Sequence, residues 1–223
     1  FFQTAITYMA GNIADFENVA LPPKKQPKKE TFNPILKIDA TSKELWTLVD
    51  FKTGQSSQIK DPEKDRELIR TIPWDIGFQR TKIITNSGAT NQEGRVGIID
   101  MGQVDFDSVR LIPTEGFIED QRRWGNILNP AISKWYNYRT RTHNVESKKS
   151  VYLLRTDNGR HAKFRILNYY CTHEEEECSS VMCNRDEAAC LTIEYMFQKG
   201  PGFPPSPKEV STLASTATKT VLP

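Results

Sequence analysis

The sequence predicts an all-β protein of mainly antiparallel strands and long hairpins, with a short helix at its N-terminus. Three observations carry this. From Trp74 to Val109, two apolar-rich segments (Trp74–Thr85 and Arg95–Met101) flank Asn86, Ser87, Gly88, Asn91 and Gly94. Those residue types accept turn and left-handed backbone at little steric cost, so the stretch is expected to form one long β-hairpin. Further on, Val151–Arg155 and Ala162–Tyr169 flank an Asp157-Asn158-Gly159 turn signal. At the other end of the chain, Phe2, Ile6, Met9, Ile13 and Phe16 recur at steps of four, three, four and three, which is the spacing of one helix face.

In chain order, that N-terminal seam predicts an amphipathic helix. Gly11 weakens its middle, and Asp15 and Glu17 oppose the dipole at its C-terminal end, so the helix is marginal alone. It is expected to fold back on its own domain. Residues Leu21 to Glu30 (LPPKKQPKKE) read as an extended, semi-rigid linker. The expected units are helix and linker over 1–31, a β domain over 32–200, and a flexible Ser/Thr/Pro tail over 201–223.

The β domain opens with an alternating strand over Ile35–Ala40, then Trp46–Phe51, which ends in a Thr53–Gly54 turn. In the first arm of the central hairpin neither parity is purely apolar, so that strand is expected to touch packed material on both faces. Pro113-Thr-Glu-Gly116 is a turn by composition, and Phe117–Ile132 shows no clean period. Trp135, Tyr136 and Tyr138 form an aromatic strand, followed by a polar connection over Arg139–Lys149. In the strand over Ala162–Tyr169, Phe164 and Ile166 alternate with Lys163 and Arg165, which predicts one face on a core and one in water. His161, beside the turn, is expected to be exposed. A last strand, Leu191–Phe197, should pair antiparallel with Arg165–Tyr170.

All four cysteines, Cys171, Cys178, Cys183 and Cys190, lie between these last two strands. No Cys-x-x-Cys pair is present, and His173 follows Cys171 too closely for a zinc-finger arrangement, so disulfides are the better reading. If the two strands pair, Cys171 meets Cys190 at the hairpin base, and Cys178 and Cys183 close the inner loop. Four cysteines permit other connectivities, so this nested pairing rests on the assumed register. Bridges imply an oxidising, exported environment. The acidic run Glu174–Glu177 reads as a solvated loop tip.

Composition excludes several classes. At 37% hydrophobic residues, and with no apolar run long enough to span a bilayer, the chain is not an integral helical membrane protein. A net charge of +2 gives no field that would draw in nucleic acid. There is no nucleophile elbow, phosphate-cradling glycine loop or His-Glu-x-x-His, and the three histidines are scattered, so no enzyme is expected. Phe1 in place of a Met leads to the expectation of a leader that was removed or omitted.

The collinear order DFKTGQ (Asp50–Gln55), WDIGFQR (Trp74–Arg80), TNSGAT (Thr85–Thr90), DFDSV (Asp105–Val109) and VYLLRTDNGRHAKFRILNYY (Val151–Tyr170) resembles the HmuY family of bacterial haem-binding proteins. The resemblance implies packed, mainly antiparallel sheets, with the charged segment Lys60–Arg70 as a surface loop containing one helical turn. It also implies an exported protein of iron acquisition at the cell surface or outer membrane, of lipoprotein type, with an outer-membrane receptor or host protein as partner. Members hold haem between projecting hairpins through two axial side chains, two His in the best-known type and Met in others. This chain departs there, because no residue matches either axial position. His143 and Met101 are the candidate iron donors, and Trp124, Trp135 and Tyr136 the candidate ring contacts. Around Trp124, residues Arg110, Arg122 and Arg123 offer guanidinium groups to carboxylates.

Two functions from different classes stay open. One is an exported haem- or porphyrin-binding protein. The other is a surface-displayed β-domain interaction module that has lost haem ligation and serves a protein partner.

Overall fold

The structure is a computed structural model that describes residues 33–179 and 181–204. The N-terminal seam, the Leu21–Glu30 linker and the tail beyond residue 204 lie outside the described residues.

The strands in chain order are β1 (Ile35–Asp39), β2 (Trp46–Val49), β3 (Ser56–Ile59), β4 (Ile76–Gln79), β5 (Lys82–Thr85), β6 (Gly97–Asp100), β7 (Gln121–Arg123) and β8 (Asn126–Leu128). They continue with β9 (Tyr136–Arg139), β10 (Asn144–Ser147), β11 (Tyr152–Arg155), β12 (His161–Tyr170) and β13 (Ala188–Phe197). One short helix, α1 (Arg66–Thr71), precedes β4. A five-stranded sheet has the order β1-β13-β12-β11-β6 and a four-stranded sheet the order β3-β2-β4-β5, while β7–β8 and β9–β10 form separate two-stranded hairpins. Neighbouring strands are antiparallel throughout.

Three apolar clusters explain the strand patterns. Between the two large sheets lie Val49, Ile76, Phe78 and Ile83 from one and Ile98, Leu154, Phe164, Ile166 and Ile193 from the other. The Phe51 and Phe164 rings meet there at 5.2 Å. The far face of the four-stranded sheet carries Trp46, Leu48 and Ile84, covered by Ile69 of α1 and Trp74. On the far face of the five-stranded sheet, Leu153 and Met196 pack against Phe106 and Val109. Because both faces of each sheet are covered, β4 is buried along its whole length, in line with its mixed parity.

The central stretch is not one hairpin. β4 reverses at Arg80 and Thr81 onto β5, and β6 leaves for the other sheet, where it pairs with β11. Arg80 adopts a left-handed φ of 55°, unusual for a non-glycine residue. Its neighbours hold it there: its backbone N–H donates to Ala40 O, and its guanidinium donates to Ala188 O at 2.9 Å and to Thr41 O and Arg185 O at 3.2 Å. The Asn86–Gly94 segment is therefore a crossover between sheets. At Gly94 the backbone passes so close to Asn86 that an added Cβ would lie 2.1 Å from the Asn86 carbonyl oxygen.

Other expectations are also corrected. The Arg139–Lys149 connection contains β10, paired with β9, and Phe117–Ile132 contains the β7–β8 hairpin. β3 had no alternating apolar signal, since three of its four residues are exposed. Lys163 does not face water. It is 2% exposed, its ammonium donates to Phe106 O at 2.8 Å and Val109 O at 3.1 Å, and it lies 4.7 Å from the centre of the Phe106 ring. Burial pushes its pKa down, and Asp107 opposes that shift. Beside it Arg165 pairs with Glu194, which also accepts from Asn33 at 2.7 Å. The DFDSV segment thus lies over the polar residues of the sheet and shields them. His161 is half-buried against Phe117, with ring centres 5.5 Å apart, rather than exposed.

β12 and β13 pair from Ala162–Phe197 to Tyr170–Ala188, with register shifts near Asn168. Disulfides join Cys171 to Cys190 and Cys178 to Cys183, the nested arrangement expected from that pairing. The acidic run between them is not a solvated tip throughout. Glu175 is buried, accepts from Ser147 N at 3.0 Å and pairs with Lys149 at 2.7 Å.

Candidate ligand cleft

β5 is the edge strand of its sheet, and the β7–β8 hairpin lies along it. The junction is organised by Asp120, immediately before β7. Its buried carboxylate accepts from Thr85 N at 2.8 Å, Thr85 Oγ1 at 2.6 Å, Thr90 Oγ1, and Asn129 Nδ2 at 3.2 Å. Asp120 and Asn129 bracket the hairpin, so this one carboxylate fixes both of its ends to β5. Burial raises the Asp120 pKa to about 6, against the lowering effect of those hydrogen bonds. The TNSGAT segment supplies three of the four donors, and Gly88 lets the backbone approach, since a Cβ there would lie 2.3 Å from Asp120 O.

Between the hairpin, β5 and the start of β9 runs a cleft of about 550 Å³. Trp46, Ile83, Ile84, Ile127 and Leu128 give it apolar walls, Tyr136 stands at one side, and the exposed Lys60 and Lys82 also line it. Arg122 pairs with Glu63 and ties the hairpin to the loop before α1. The volume is within the range of about 300–1,000 Å³ typical of small-molecule sites, and polar groups, Asp61 and Glu63 beside the lysines among them, make up as much of the lining as apolar ones.

The residues expected to form a site are dispersed. Tyr136 lines the cleft. Trp135 is fully buried behind it, edge-on to Tyr136 at 5.0 Å, with its indole N–H donated to Thr81 O at 3.0 Å. Trp124 is the turn of the β7–β8 hairpin and is 94% exposed, while Arg123 donates to Gln121. His143 is exposed at the turn of the β9–β10 hairpin, its Nδ1 2.7 Å from the Tyr138 hydroxyl. Tyr136 and Tyr138 share one face of β9, about 7 Å apart along the strand, so His143 lies farther out along the face that begins at the cleft. Met101 belongs to the cluster on the far face of the five-stranded sheet, away from these groups. Trp46, Lys60, Lys82, Ile83, Ile127 and Leu128 were not singled out from sequence. Of these, Trp46, Lys82 and Ile83 lie in segments the sequence predicts as strands, and Ile127 and Leu128 in a stretch without a clean period.

A family model described as HmuY protein matches residues 42–181. No curated protein sequence matches the chain. Solved structures do. An apo HmuY analogue from Tannerella forsythia is 20% identical with a TM-score of 0.56, over 77% of this chain and 98% of the other. A Bacteroides vulgatus protein, provisionally assigned as HmuY-like and haem-binding, is 23% identical with a TM-score of 0.52, over 74% and 91%. A Bacteroides fragilis protein, provisionally assigned as a lipoprotein, is 18% identical with a TM-score of 0.51, over 78% and 94%. These likenesses share the packed antiparallel sheets described above, and with the match over residues 42–181 the chain belongs to the HmuY family.

Proposed function

We propose that the chain is an exported haem- or porphyrin-binding protein that takes the ring into the cleft between β5 and the β7–β8 hairpin. The observation that carries this reading is the cleft's combination of apolar walls with two exposed lysines in a family of ligand-binding proteins. Trp46, Ile83, Ile127 and Leu128 would cover the faces of a flat apolar ring, and Lys60 and Lys82 would meet its carboxylates. The donor set fits such a ring better than it fits two-sided iron ligation. Among the described residues lining the cleft there is no His, Met or Cys, and the Tyr136 phenol is the group suited to iron, an axial donor haem proteins do use. Haem would supply the iron; the chain's task is to hold the ring, exclude water from it and neutralise its carboxylates.

Export is supported by the two disulfides and by the provisional lipoprotein assignment of the Bacteroides fragilis relative. No helix among the described residues is long and apolar enough to cross a membrane. The second reading, a protein-interaction module displayed at the surface, is favoured by the exposed Trp124, Tyr138 and Met182.

Titration with haemin and with metal-free protoporphyrin IX separates the two. The tetrapyrrole reading expects both to bind, with affinities within about tenfold because ring contacts dominate. Tyr136→Phe should change the haemin absorption bands and leave protoporphyrin affinity intact, whereas Ile127→Glu should weaken both. Failure of either ligand to bind the unmodified protein rejects this reading in favour of the interaction module.

A further inference from the structure

A second and larger cleft, about 680 Å³, lies among α1, the Asp50–Thr53 turn and the turn joining β11 to β12, and shares no lining residue with the first. Ile69, Ile72, Pro73 and Trp74 make its apolar side. Asp75, at the entrance to β4, lines it and is 5% exposed. Its Oδ2 accepts from Phe51 N at 2.9 Å, and its Oδ1 accepts no hydrogen bond among the described residues.

A buried carboxylate ordinarily has a cation or several N–H donors beside it, because desolvation of the charge is costly. The charged groups facing Asp75 are the opposite of what it needs: Asp50 from the end of β2 and Asp157 from the β11–β12 turn add negative charge. Of the basic residues lining the cleft, Arg70 is engaged by Glu67 at 3.3 Å and Glu93 at 3.1 Å, and Lys52 is exposed. Burial, opposed by the Phe51 N–H and reinforced by Asp50 and Asp157, raises the Asp75 pKa to about 7. The cleft therefore offers an apolar side leading to a carboxylate with one unused oxygen and two further carboxylates.

We propose that this cleft binds an amine or guanidinium cation carried on an alkyl stem, with Asp75 as its counter-ion, Asp50 and Asp157 as flanking acceptors, and Ile69, Ile72 and Pro73 against the stem. The proposal does not depend on tetrapyrrole binding. The same chemistry is offered by a free small cation and by an Arg or Lys side chain of a polypeptide, and two probes distinguish these sources. Agmatine represents the free cation. N-acetyl-arginine amide represents the side chain in a peptide, where the stem must enter with a backbone outside.

Calorimetric titration of the full chain is the test. Saturable binding of agmatine alone indicates a free cation as ligand, and binding of the capped arginine indicates a polypeptide side chain. Because the cation stabilises ionised Asp75, binding at pH 7 should release a fraction of a proton, read from the heat in buffers of different ionisation enthalpy, and affinity should fall from pH 8 to pH 5.5. Asp75→Asn keeps an oxygen for the Phe51 N–H, and it should lower affinity at least tenfold and abolish proton release. Asp157→Asn, at an exposed turn, should give a smaller loss. The proposal is overturned if neither probe binds, if binding releases no proton, or if folded Asp75→Asn binds as well as the unmodified protein.

Discussion

Replacing Asp120 tests the junction that positions the first cleft. Asp120→Ala strands the Thr85 N–H and the Thr90 hydroxyl, both on buried residues, while the Thr85 hydroxyl can turn to Ser87 Oγ, 2.9 Å away, and the Asn129 amide keeps Ile118 O at 2.9 Å. At roughly 1–3 kcal/mol for each unsatisfied buried donor, with a small cavity in addition, the loss is about 4 kcal/mol, a large part of a typical domain's stability. Asp120→Asn keeps the shape, accepts the Thr85 N–H and removes the buried charge, so at pH 7 it should lie within about 1 kcal/mol of the unmodified protein. The two also differ in pH dependence. The folded-state pKa of Asp120 is raised from 3.8 to about 6, so the native state holds its proton more tightly than the unfolded chain. Its favourable contribution is full below pH 3.8 and is lost as pH rises through 6, a change of about 3 kcal/mol for a shift of about two units. Urea denaturation at pH 8, 6 and 4.5 checks both points, with Asp120→Asn expected to lose part of the stabilisation on acidification. Asp75, raised to about 7, has the same sign and accounts for slope that remains. An Asp120→Ala protein as stable as the original, or an Asp120→Asn protein with an unchanged pH slope, would refute the clamp.

Three further outcomes are expected. Replacing Cys171 and Cys190 together by Ser should cost about 3 kcal/mol in chemical denaturation, and opening the shorter Cys178–Cys183 loop about 2 kcal/mol, from loop separations of 19 and 5 residues. Lys163→Ala, which leaves two carbonyls without their donor and a gap beside Phe106, should destabilise by about 3 kcal/mol, whereas Lys163→Met, filling the gap, should cost roughly half as much. Arg80→Gly keeps the left-handed turn and loses the guanidinium, and Arg80→Ala loses both; thermal melts should rank them in that order below the unmodified protein.

Much of the fold was legible in sequence because turn residues and alternation mark β12, β13 and the hairpin between β11 and β12. The cysteine pairing followed from that local register. Asn86-Ser87-Gly88 carries a strong turn signature that predicts one central hairpin, while the real reversal uses Arg80, a residue with no turn propensity, held by carbonyls that in two cases are more than a hundred residues away. Alternation predicts a solvent-facing Lys163 because it reports parity, not what lies over a face; the cover comes from Phe106 and Val109 on a distant loop. The cleft was hardly legible at all. Its lining comes from β2, β4, β5, β8 and β9, each contributing one to three ordinary residues, and from the loop before α1, and only packing brings them together.

The nested bridges have a consequence for a chain that meets proteases. The exposed Val181 and Met182 lie within the inner bridged loop. A cut there severs the backbone, yet Cys178–Cys183 and Cys171–Cys190 still join the two pieces. A cut elsewhere between 171 and 190 leaves the outer bridge in place. The fragment carrying β13 stays attached at the point where it pairs with β12, and β13 is the strand on which β1 also depends. Nicking this loop should therefore produce two bands on a reducing gel from a protein that still melts as one, and only a reductant would turn the cut into unfolding.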